Sequence, residues 1–517
     1  MSKGALLHLA SDAEEYWGRE MQGYKSQIRQ STINGLKDKV SRKNYGKYLL
    51  KLNLVNVRAL KDQVVNFDFP VTALIGPNGG GKTTVLGAAA TAYSSVKPRQ
   101  FFAKSGKFDE SMADWKIEYE LIDRDINRAD TVRRTAAFHK SKWSRDAVDR
   151  TTVVLGVSRT VPANERKELQ KCASGTFAVE AEKVGAIQRP VADAVQKILG
   201  KSIADYSHIK IDASGRVSLL TGATDEGTKY SEFHFGAGES SIIRMVMEIE
   251  AAPENSLILI EEIENGLHPV ATVRIVEYLI DAADRKAIQA IFTTHSNDAL
   301  LPLPPEAIWA SISGKVFQGK LDISSLRAIT GQIDASLAIF CEDEFAAAWI
   351  RSMLRMDGGI GLDEIEVHAM AGDGTAVTIN RHHNQNPAVR FPSVCVIDGD
   401  SQQEASDPDK VYRLPGECPE AYIFDRVLEA EDATGRLTVR LQKGFAETAQ
   451  LMERLHEIRR TNRDPHLLFS QVGEALGFVP VEAVQEAFFT TWAESYPAEV
   501  EELVGKVRAL LPQRRAL

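Results

Sequence analysis

The feature that most constrains the fold of this chain is a glycine-rich segment at residues 76–83. An apolar run at 71–75 precedes it and a run of small residues at 85–93 follows it, so it joins a predicted buried strand to a predicted helix. The segment fits the pattern GxxxxGK[ST] at every fixed position, with the residues Gly76, Pro77, Asn78, Gly79, Gly80, Gly81, Lys82 and Thr83 in order. A strand, a glycine-rich loop and a helix in this order predict an α/β domain with a phosphate-binding loop.

The chemistry of this loop suits a nucleoside triphosphate. Its glycines allow the backbone N–H groups to turn toward phosphate oxygens, and the N-terminus of the following helix adds a partial positive charge. We expect Lys82 to reach the β- and γ-phosphates and the Thr83 hydroxyl to bind Mg²⁺, with Thr84 beside them in the first turn of the helix. The sequence therefore predicts ATP and Mg²⁺ as cofactors.

Composition sets the class of protein. The 517 residues exceed what one core supports, so two or three domains are expected. With 26% charged and 44% hydrophobic residues, the chain is typical of a globular protein. Its net charge of −9 excludes the uniformly basic surface of a nucleic-acid coat, but it is compatible with a local basic groove that binds nucleic acid. Its four cysteines form no CxxC pair. No apolar run is long enough for a membrane span, and we expect a cytoplasmic protein.

Two later strands are predicted to carry polar groups to the same edge of the sheet as the loop. The apolar run at 257–260 ends in Glu261 and Glu262, and the run at 290–293 leads into Thr294 and His295. A carboxylate that holds the metal and a carboxylate that activates water are both needed opposite a phosphate loop. We expect Glu261 to take the first role, Glu262 the second, and His295 to contact the γ-phosphate.

The order of these motifs resembles that of ABC-type ATPases. The phosphate loop is followed by a signature-like segment at 235–240, by the acidic segment at 260–269, and by Thr294-His295. In that family the signature of one subunit closes over the nucleotide bound by another. The resemblance therefore implies at least a homodimer, with Gly238, Glu239 and Ser240 as nucleotide contacts.

This chain departs from the ABC-type pattern at two positions. Glu261 stands where the family has aspartate, and Gly236 stands where its signature serine lies, so slow hydrolysis is expected. For the glutamine of the family's Q-loop, Gln100 is the nearest candidate.

The second half of the chain carries a separate group of acids. Glu342 follows the apolar run 337–341, and Asp398 and Asp400 follow the run 394–397. If these runs are neighbouring parallel strands, the three carboxylates meet at one sheet edge, where open α/β folds bind ligands. Carboxylates that converge without a lysine repel one another unless a divalent cation neutralises them. The pattern predicts a Mg²⁺ or Mn²⁺ site at Glu342, Asp398 and Asp400, suited to phosphodiester cleavage.

Glu342, the glycine-containing segment at 371–374, Asp398 and Asp400 resemble the Toprim fold of topoisomerases, primases and nucleases. An ABC-type ATPase followed by Toprim resembles the OLD (overcoming lysogenization defect) nucleases, a family that includes the Gabija nuclease. Toprim sequences have glycine after the first glutamate, whereas this chain has Asp343 and Glu344, so either could bind metal or Glu344 could replace Glu342. The family also uses a further polar residue from the C-terminal region, for which His466 and Lys443 are candidates.

Together these patterns predict an α/β protein with an ABC-type P-loop ATPase domain, a Toprim-like α/β domain and a helical C-terminal region. The expected boundaries are a helical N-terminal extension at 1–46, the ATPase domain at 47–330 with a helical insertion at about 160–205, the Toprim-like domain at 331–424, and the helical region at 425–517.

The predicted function is ATP-gated, metal-dependent DNA cleavage in anti-phage defence, with DNA preferred over RNA as the substrate. The resemblance also allows for a partner protein from the same defence operon. Two alternatives stay open: cleavage of RNA such as tRNA, as in PARIS-type systems, and a non-nucleolytic ATPase sensor or clamp that acts with a partner effector.

Overall fold

The computed structural model describes residues 26–104, 114–140, 142–212, 217–224, 227–312, 314–319, 335–357, 360–370, 372–386 and 389–511. The chain divides into two compact units. The first comprises Met1–Ile75 and Gly79–Val316, and the second comprises Gly76–Asn78 and Phe317–Leu517. None of the described helices combines the length and the apolar character needed to cross a membrane.

Within the residue ranges above, the first unit contains fourteen complete strands and five α-helices, and a fifteenth strand crosses its boundary at Val316. The strands are β1 (Lys47–Val57), β2 (Leu60–Asn66), β3 (Val71–Ile75), β4 (Trp115–Asp123), β5 (Val132–His139), β6 (Lys142–Arg145), β7 (Thr152–Leu155), β8 (Val184–Ala186), β9 (Ser207–Lys210), β10 (Ser218–Ala223), β11 (Lys229–Ser231), β12 (Leu257–Ile260), β13 (Gln289–Thr293), β14 (Ile308–Ile312) and β15 (Lys315–Gln318). The helices are α1 (Gln30–Ser41), α2 (Lys82–Thr91), α3 (Arg189–Leu199), α4 (Ala237–Ala251) and α5 (Pro269–Lys286).

A six-stranded sheet organises this unit, in the order β15-β14-β3-β13-β12-β7. The pairs β14/β3, β3/β13, β13/β12 and β12/β7 are all parallel. Every residue of β3, β12 and β13 is buried, which explains why their sequences are mainly apolar rather than alternating. Because the strands are parallel, the loops that follow β3, β7, β12 and β13 lie at one edge of the sheet.

Two antiparallel sheets complete the unit, in the orders β2-β1-β4-β5-β6 and β11-β10-β9-β8. The helical insertion expected at about 160–205 is wrong for most of its length. Among the described residues of this segment only α3 is α-helical, and the residues between β7 and α3 form short 3₁₀ turns and strand β8. Pro162 and Gly175 interrupt the segment, whereas Pro190 lies in the first turn of α3, where the missing N–H has no partner to lose.

The second unit is built on four strands, all parallel, in the order β17-β16-β18-β19. The strands are β16 (Leu337–Cys341), β17 (Ile365–Ala369), β18 (Ser393–Ile397) and β19 (Val411–Arg413). Its helices are α6 (Glu344–Asp357), α7 (Asp373–Gln385), α8 (Pro419–Glu429), α9 (Thr434–Arg440), α10 (Thr448–Thr461), α11 (Leu468–Ala475), α12 (Val481–Ser495) and α13 (Pro497–Arg508).

The C-terminal helices pack into the same core as this sheet. Trp349 of α6 stacks on Phe489 and meets Trp492 edge to face, both on α12. The core runs from Leu337 in the sheet to Val507 in α13. The boundary expected at 424 therefore falls inside a single hydrophobic core, because the apolar faces of the later helices need the sheet domain to cover them.

Candidate functional site

The glycine-rich segment joins β3 to α2 as predicted. Gly76, Gly79 and Gly81 have positive φ angles of 147°, 76° and 111°, a region that favours glycine over residues with a side chain. A Cβ atom at Gly81 would also lie 2.8 Å from Ser311 Oγ, and that hydroxyl donates to the carbonyl oxygen of Gly80 at 2.7 Å. The sequence needs glycine here because of both the backbone conformation and the close approach of Ser311.

The helix that follows presents its first residues differently. The Lys82 side chain is buried, with 8% of its surface exposed, whereas Thr83 is exposed. Thr84 is buried, and its hydroxyl accepts a hydrogen bond from Arg58 Nη1 at 3.0 Å. Lys82 and Thr83 thus stay candidates for side-chain contact with nucleotide and metal, while the Thr84 hydroxyl is engaged inside the protein.

Lys82, Glu262, Glu264 and His295 share one electrostatic environment. Burial lowers the pKa of Lys82, and the charges of Glu262 and Glu264 oppose that shift. The pKa of His295 is lowered first by its partial enclosure and then by Lys82, again against Glu264 and Glu262. The structure therefore brings together the loop lysine, the acidic segment and the histidine that the sequence placed at one sheet edge.

Glu264 is a site residue that the sequence analysis missed. Its carboxylate accepts hydrogen bonds from Thr294 Oγ1 at 2.8 Å and from the backbone N–H of His295 at 2.6 Å. It ties the loop after β12 to the loop after β13. The available signal was a third acid close behind the Glu261-Glu262 pair.

The acid pair after β12 has a constrained backbone. Glu262 has a φ angle of 46°, and its N–H donates to Thr293 Oγ1 at 2.8 Å. The pKa of Glu261 is raised by burial and by Glu262, and Arg159 acts against both. Arg159 lies in the loop after β7 and was also missed. The Q-loop candidate Gln100 is exposed, in a 3₁₀ turn at Pro98–Gln100.

The signature-like segment forms the N-terminus of α4, with Gly236 as its N-cap. A Cβ atom at Gly238 would lie 2.2 Å from the carbonyl oxygen of Gly266, so only glycine fits. Ser240 is buried, and the Glu239 carboxylate accepts hydrogen bonds from Lys201 Nζ at 3.0 Å and Tyr206 OH at 2.9 Å. A cavity of about 450 Å³ lies along this segment and the loop that contains Gly266.

The acids of the second unit lie at the carboxyl edge of its sheet. Cys341 at the end of β16 pairs with Val396 in β18, so Glu342 and Asp398 leave neighbouring strands at nearly the same level. Burial, followed by Asp373 and other acids, raises the pKa of Glu342 to about 7. Burial, followed by Asp343, Glu342 and Asp400, raises the pKa of Asp398 to about 8. The structure thus brings Glu342, Asp398 and Asp400 together.

Asp398 carries a buried, unsatisfied oxygen. Only 8% of the residue is exposed, and within the described residues its Oδ1 has no hydrogen-bond partner. A buried carboxylate oxygen without a donor is costly, and a bound cation is one way to satisfy it. The donor set at this edge therefore fits a hard divalent cation.

The loop after β18 is fixed by side chains that the sequence analysis did not consider. Arg413 Nη1 donates to the carbonyl oxygens of Asp398 at 2.9 Å and Gly399 at 2.8 Å. Ser401 Oγ donates to Asp373 Oδ2 at 2.5 Å, which joins this loop to the start of α7. The sequence pattern did not predict this role of Arg413, because its side chain binds main-chain carbonyl groups, which every residue has.

His466 reaches the same edge through Glu420. Its Nδ1 lies 2.6 Å from Glu420 Oε1, and Glu420 is buried at the start of α8. The hydrogen bond and charge of Glu420 raise the pKa of His466, and Asp343 adds to the shift. The other candidate, Lys443, donates from Nζ to the carbonyl oxygen of Leu476 at 3.5 Å. Glu344 is exposed as the first residue of α6.

In the part of the chain that the structure describes, no three His, Cys, Asp or Glu side chains are arranged to hold a metal ion as they stand. Binding at Glu342, Asp398 and Asp400 therefore requires these carboxylates to close around the ion.

Two family models match the first unit. Residues 51–177 match the model described as "AAA domain", and residues 199–301 match the model described as "AAA domain, putative AbiEii toxin, Type IV TA system". Over these residues the first unit is similar to AAA-type ATPase domains. Neither match extends into residues 317–517 of the second unit, and no curated protein matches the chain.

The chain is also similar to solved structures of SMC heads. The SMC head domain from Thermotoga maritima is 12% identical, with 53% of this chain and 99% of that chain covered and a TM-score of 0.34. An Smc head with an extended coiled coil, bound to the C-terminal domain of ScpA from Pyrococcus furiosus, is 12% identical, with 55% and 98% covered and a TM-score of 0.36. An SmcHead bound to the C-winged helix domain of ScpA is 16% identical, with 54% and 99% covered and a TM-score of 0.37.

Proposed function

We propose that this protein is an ATP-dependent, metal-dependent nuclease whose first unit binds and hydrolyses ATP and whose second unit cleaves phosphodiester bonds in DNA. The observation that carries the cleavage half is the group of carboxylates at the edge of the parallel sheet, with the buried and unpartnered oxygen of Asp398 among them. Such a group favours a site for a divalent cation over a purely structural one.

The ATP half is supported by the family matches and by the electrostatics of the first site. Lys82 is buried, and its charge interacts with Glu262 and Glu264 before nucleotide binds. After binding, its charge would interact with the anionic phosphates. In this proposal Glu262 orients the attacking water, Glu261 and Thr83 hold Mg²⁺, and His295 contacts the γ-phosphate.

Glu342, Asp398 and Asp400 would hold Mg²⁺ or Mn²⁺, which when bound activates water and stabilises the charge on the phosphodiester. Arg413 keeps the loop of Asp398 in place through main-chain carbonyl groups. His466, oriented by buried Glu420, donates a proton to the oxygen that leaves phosphorus. A Toprim-like role for the second unit rests on the order of these motifs.

The exposed N-terminus of α4 supports a dimer in which two chains share their nucleotides. Gly236 is exposed as the N-cap, and Gly238 keeps its backbone free of a side chain. In this proposal the segment of one chain covers ATP bound by the other, ATP binding orders the dimer, and the dimer opens a path for DNA. We place the protein in the cytoplasm, in anti-phage defence, beside a partner from the same operon.

The decisive experiment incubates the purified protein with plasmid DNA and, separately, with total tRNA, in Mg²⁺ or Mn²⁺ and with or without ATP. Asp400→Ala tests the metal site, and the matched control is Asp407→Ala, which changes an exposed acid further along the same segment. We expect metal-dependent DNA cleavage by the wild type and the control and none by Asp400→Ala, with ATP affinity equal in all three. Cleavage that survives in Asp400→Ala would refute the metal role.

Cleavage of tRNA but not plasmid would instead assign the protein to the RNA-targeting class. A non-nucleolytic sensor is the second candidate, and the lack of a ready metal-holding group among the described side chains favours it. Calorimetric titration with Mn²⁺ separates the two, since the nuclease must bind the ion at a site that Asp398→Asn removes, whereas a sensor need not.

A further inference from the structure

Arg159 occupies an unusual position beside the acid pair of the ATPase site. It lies in the turn Val157–Thr160 that follows β7, the edge strand next to β12. Its Nη1 donates to the carbonyl oxygen of Glu261 at 2.6 Å, and its Nη2 donates to that of Glu262 at 2.5 Å. One guanidinium group thus holds two consecutive peptide carbonyls at the end of β12.

The rest of this turn holds the same segment. Nη1 of Arg159 also donates to the carbonyl oxygen of Gly156 at 3.1 Å, which keeps the guanidinium group close to its own turn. The backbone N–H of Val157 binds the Glu261 carboxylate, and Thr160 Oγ1 accepts from Asn265 Nδ2 at 3.2 Å. The turn after β7 therefore contacts the acidic segment on both sides of Glu262.

Glu262 needs this support because of its backbone. Its φ angle of 46° lies in the left-handed region, which residues with a side chain avoid. A residue keeps such a conformation only when its surroundings determine it, and here Thr293 holds its N–H while Arg159 holds its carbonyl oxygen. The backbone conformation in turn sets the direction of the carboxylate proposed to orient water.

Charge adds to the geometry. Glu261, Glu262 and Glu264 all interact electrostatically with the half-buried guanidinium group of Arg159. A fixed positive charge beside these acids reduces their mutual repulsion, so the three carboxylates can remain close to one another when nucleotide is absent.

We propose that Arg159 is a positioning residue for ATP hydrolysis: it fixes Glu262 in its left-handed conformation and keeps the acid pair together, without itself contacting nucleotide. The inference rests on ATP hydrolysis at this site. It predicts an effect on the chemical step rather than on ATP binding, because Lys82 and the glycine loop, which bind the phosphates, are left intact.

The test compares Arg159→Ala, Arg159→Lys and the control Arg145→Ala. Arg145 also donates to two main-chain carbonyls, those of Thr91 and Tyr93 at 3.1 and 3.0 Å, and within the described part of the chain it forms no hydrogen bond to Glu261 or Glu262. ATP affinity is measured with a fluorescent ATP analogue, hydrolysis by phosphate release, and folding by thermal unfolding. We expect Arg159→Ala to lower kcat about 10- to 100-fold, as loss of a supporting residue at a metal site does, with ATP affinity changed less than threefold.

Arg159→Lys keeps the charge but replaces the planar fork, which places a separate nitrogen on each of the two carbonyls, with a single nitrogen, so its kcat should lie between those of the wild type and Arg159→Ala. Arg145→Ala should lower the melting temperature and leave kcat within threefold of the wild type. The proposal fails if Arg159→Ala hydrolyses ATP as fast as Arg145→Ala, or if its loss lies in ATP affinity instead. If Arg159→Ala does not fold, the kcat and ATP affinity of Arg159→Lys are compared with those of Arg145→Ala, and the proposal fails on the same two results. A wild type that hydrolyses no ATP would overturn the ATPase assignment itself.

Discussion

Replacement of Asp398 by Asn should stabilise the metal-free protein at alkaline pH. Burial and neighbouring acids raise the pKa of Asp398 from an ordinary value of 3.8 to about 8. The folded state therefore holds a proton over a pH range in which the unfolded state has lost it, and stability falls as the pH rises from about 4 to 8. Asn keeps the shape of the side chain and has no charge to bury.

The size of the effect follows from the shift. Each pKa unit corresponds to about 1.4 kcal/mol, which gives an upper limit of about 6 kcal/mol above pH 8. Glu342, whose pKa is raised to about 7, shares part of this repulsion, so the two shifts are not additive. We expect Asp398→Asn to raise the free energy of unfolding of the second unit by about 3 kcal/mol at pH 8.5 and by much less at pH 5.5.

The assay is urea unfolding in EDTA at both pH values, followed by the fluorescence of Trp349 and Trp492, which are buried in the core of the second unit. Saturating Mn²⁺ should stabilise the wild type and not the variant, since binding to the folded state adds to stability. Asp407→Asn, an exposed acid, is the control. Equal pH dependence in the wild type and Asp398→Asn would refute the account of the acidic edge.

Three further predictions concern single side chains. A Cβ atom at Gly399 would lie 1.3 Å from the carbonyl oxygen of Gly416, so Gly399→Ala should lower the free energy of unfolding by about 3 kcal/mol. The control is Gly374→Ala, whose Cβ would lie 3.7 Å from its nearest neighbour; this variant should unfold at the same urea concentration as the wild type or at a higher one. Lys82→Ala should weaken ATP binding roughly 10- to 100-fold in calorimetry, since it removes a charged hydrogen bond to phosphate, and unchanged affinity would remove the phosphate-loop assignment. His466→Ala should lose DNA cleavage while it still binds Mn²⁺, and Lys443→Ala should keep both; equal cleavage by the two variants would show that the contact between His466 and Glu420 is structural.

The core strands were predictable because they are short, fully buried and parallel. A strand covered on both faces is apolar at most positions, and β3, β12, β13, β16 and β18 all appear in the sequence as mainly apolar runs. The ends of such runs also identify the candidate site, because the carboxyl ends of parallel strands meet at one edge. Glu262, His295, Glu342 and Asp398 were found in this way.

The segment between β7 and α4 was not predictable in the same way. Its charged and small residues are compatible with a helix, but the 3₁₀ turns and the sheet β8–β11 depend on partners distant in sequence. Arg159 and Arg413 were missed for a related reason: each donates to main-chain carbonyl groups, which leave no pattern in the sequence.

The sequence by itself determined the phosphate loop, the order of the buried strands and which acids follow them, since these depend on local residue type and on the apolar character of each run. The tertiary structure decided which of these acids lie close enough to repel one another, which carbonyls Arg159 and Arg413 hold, and that His466 contacts Glu420. Such contacts join residues far apart in the chain, and only folding brings them within the few ångströms over which hydrogen bonds and buried charges act.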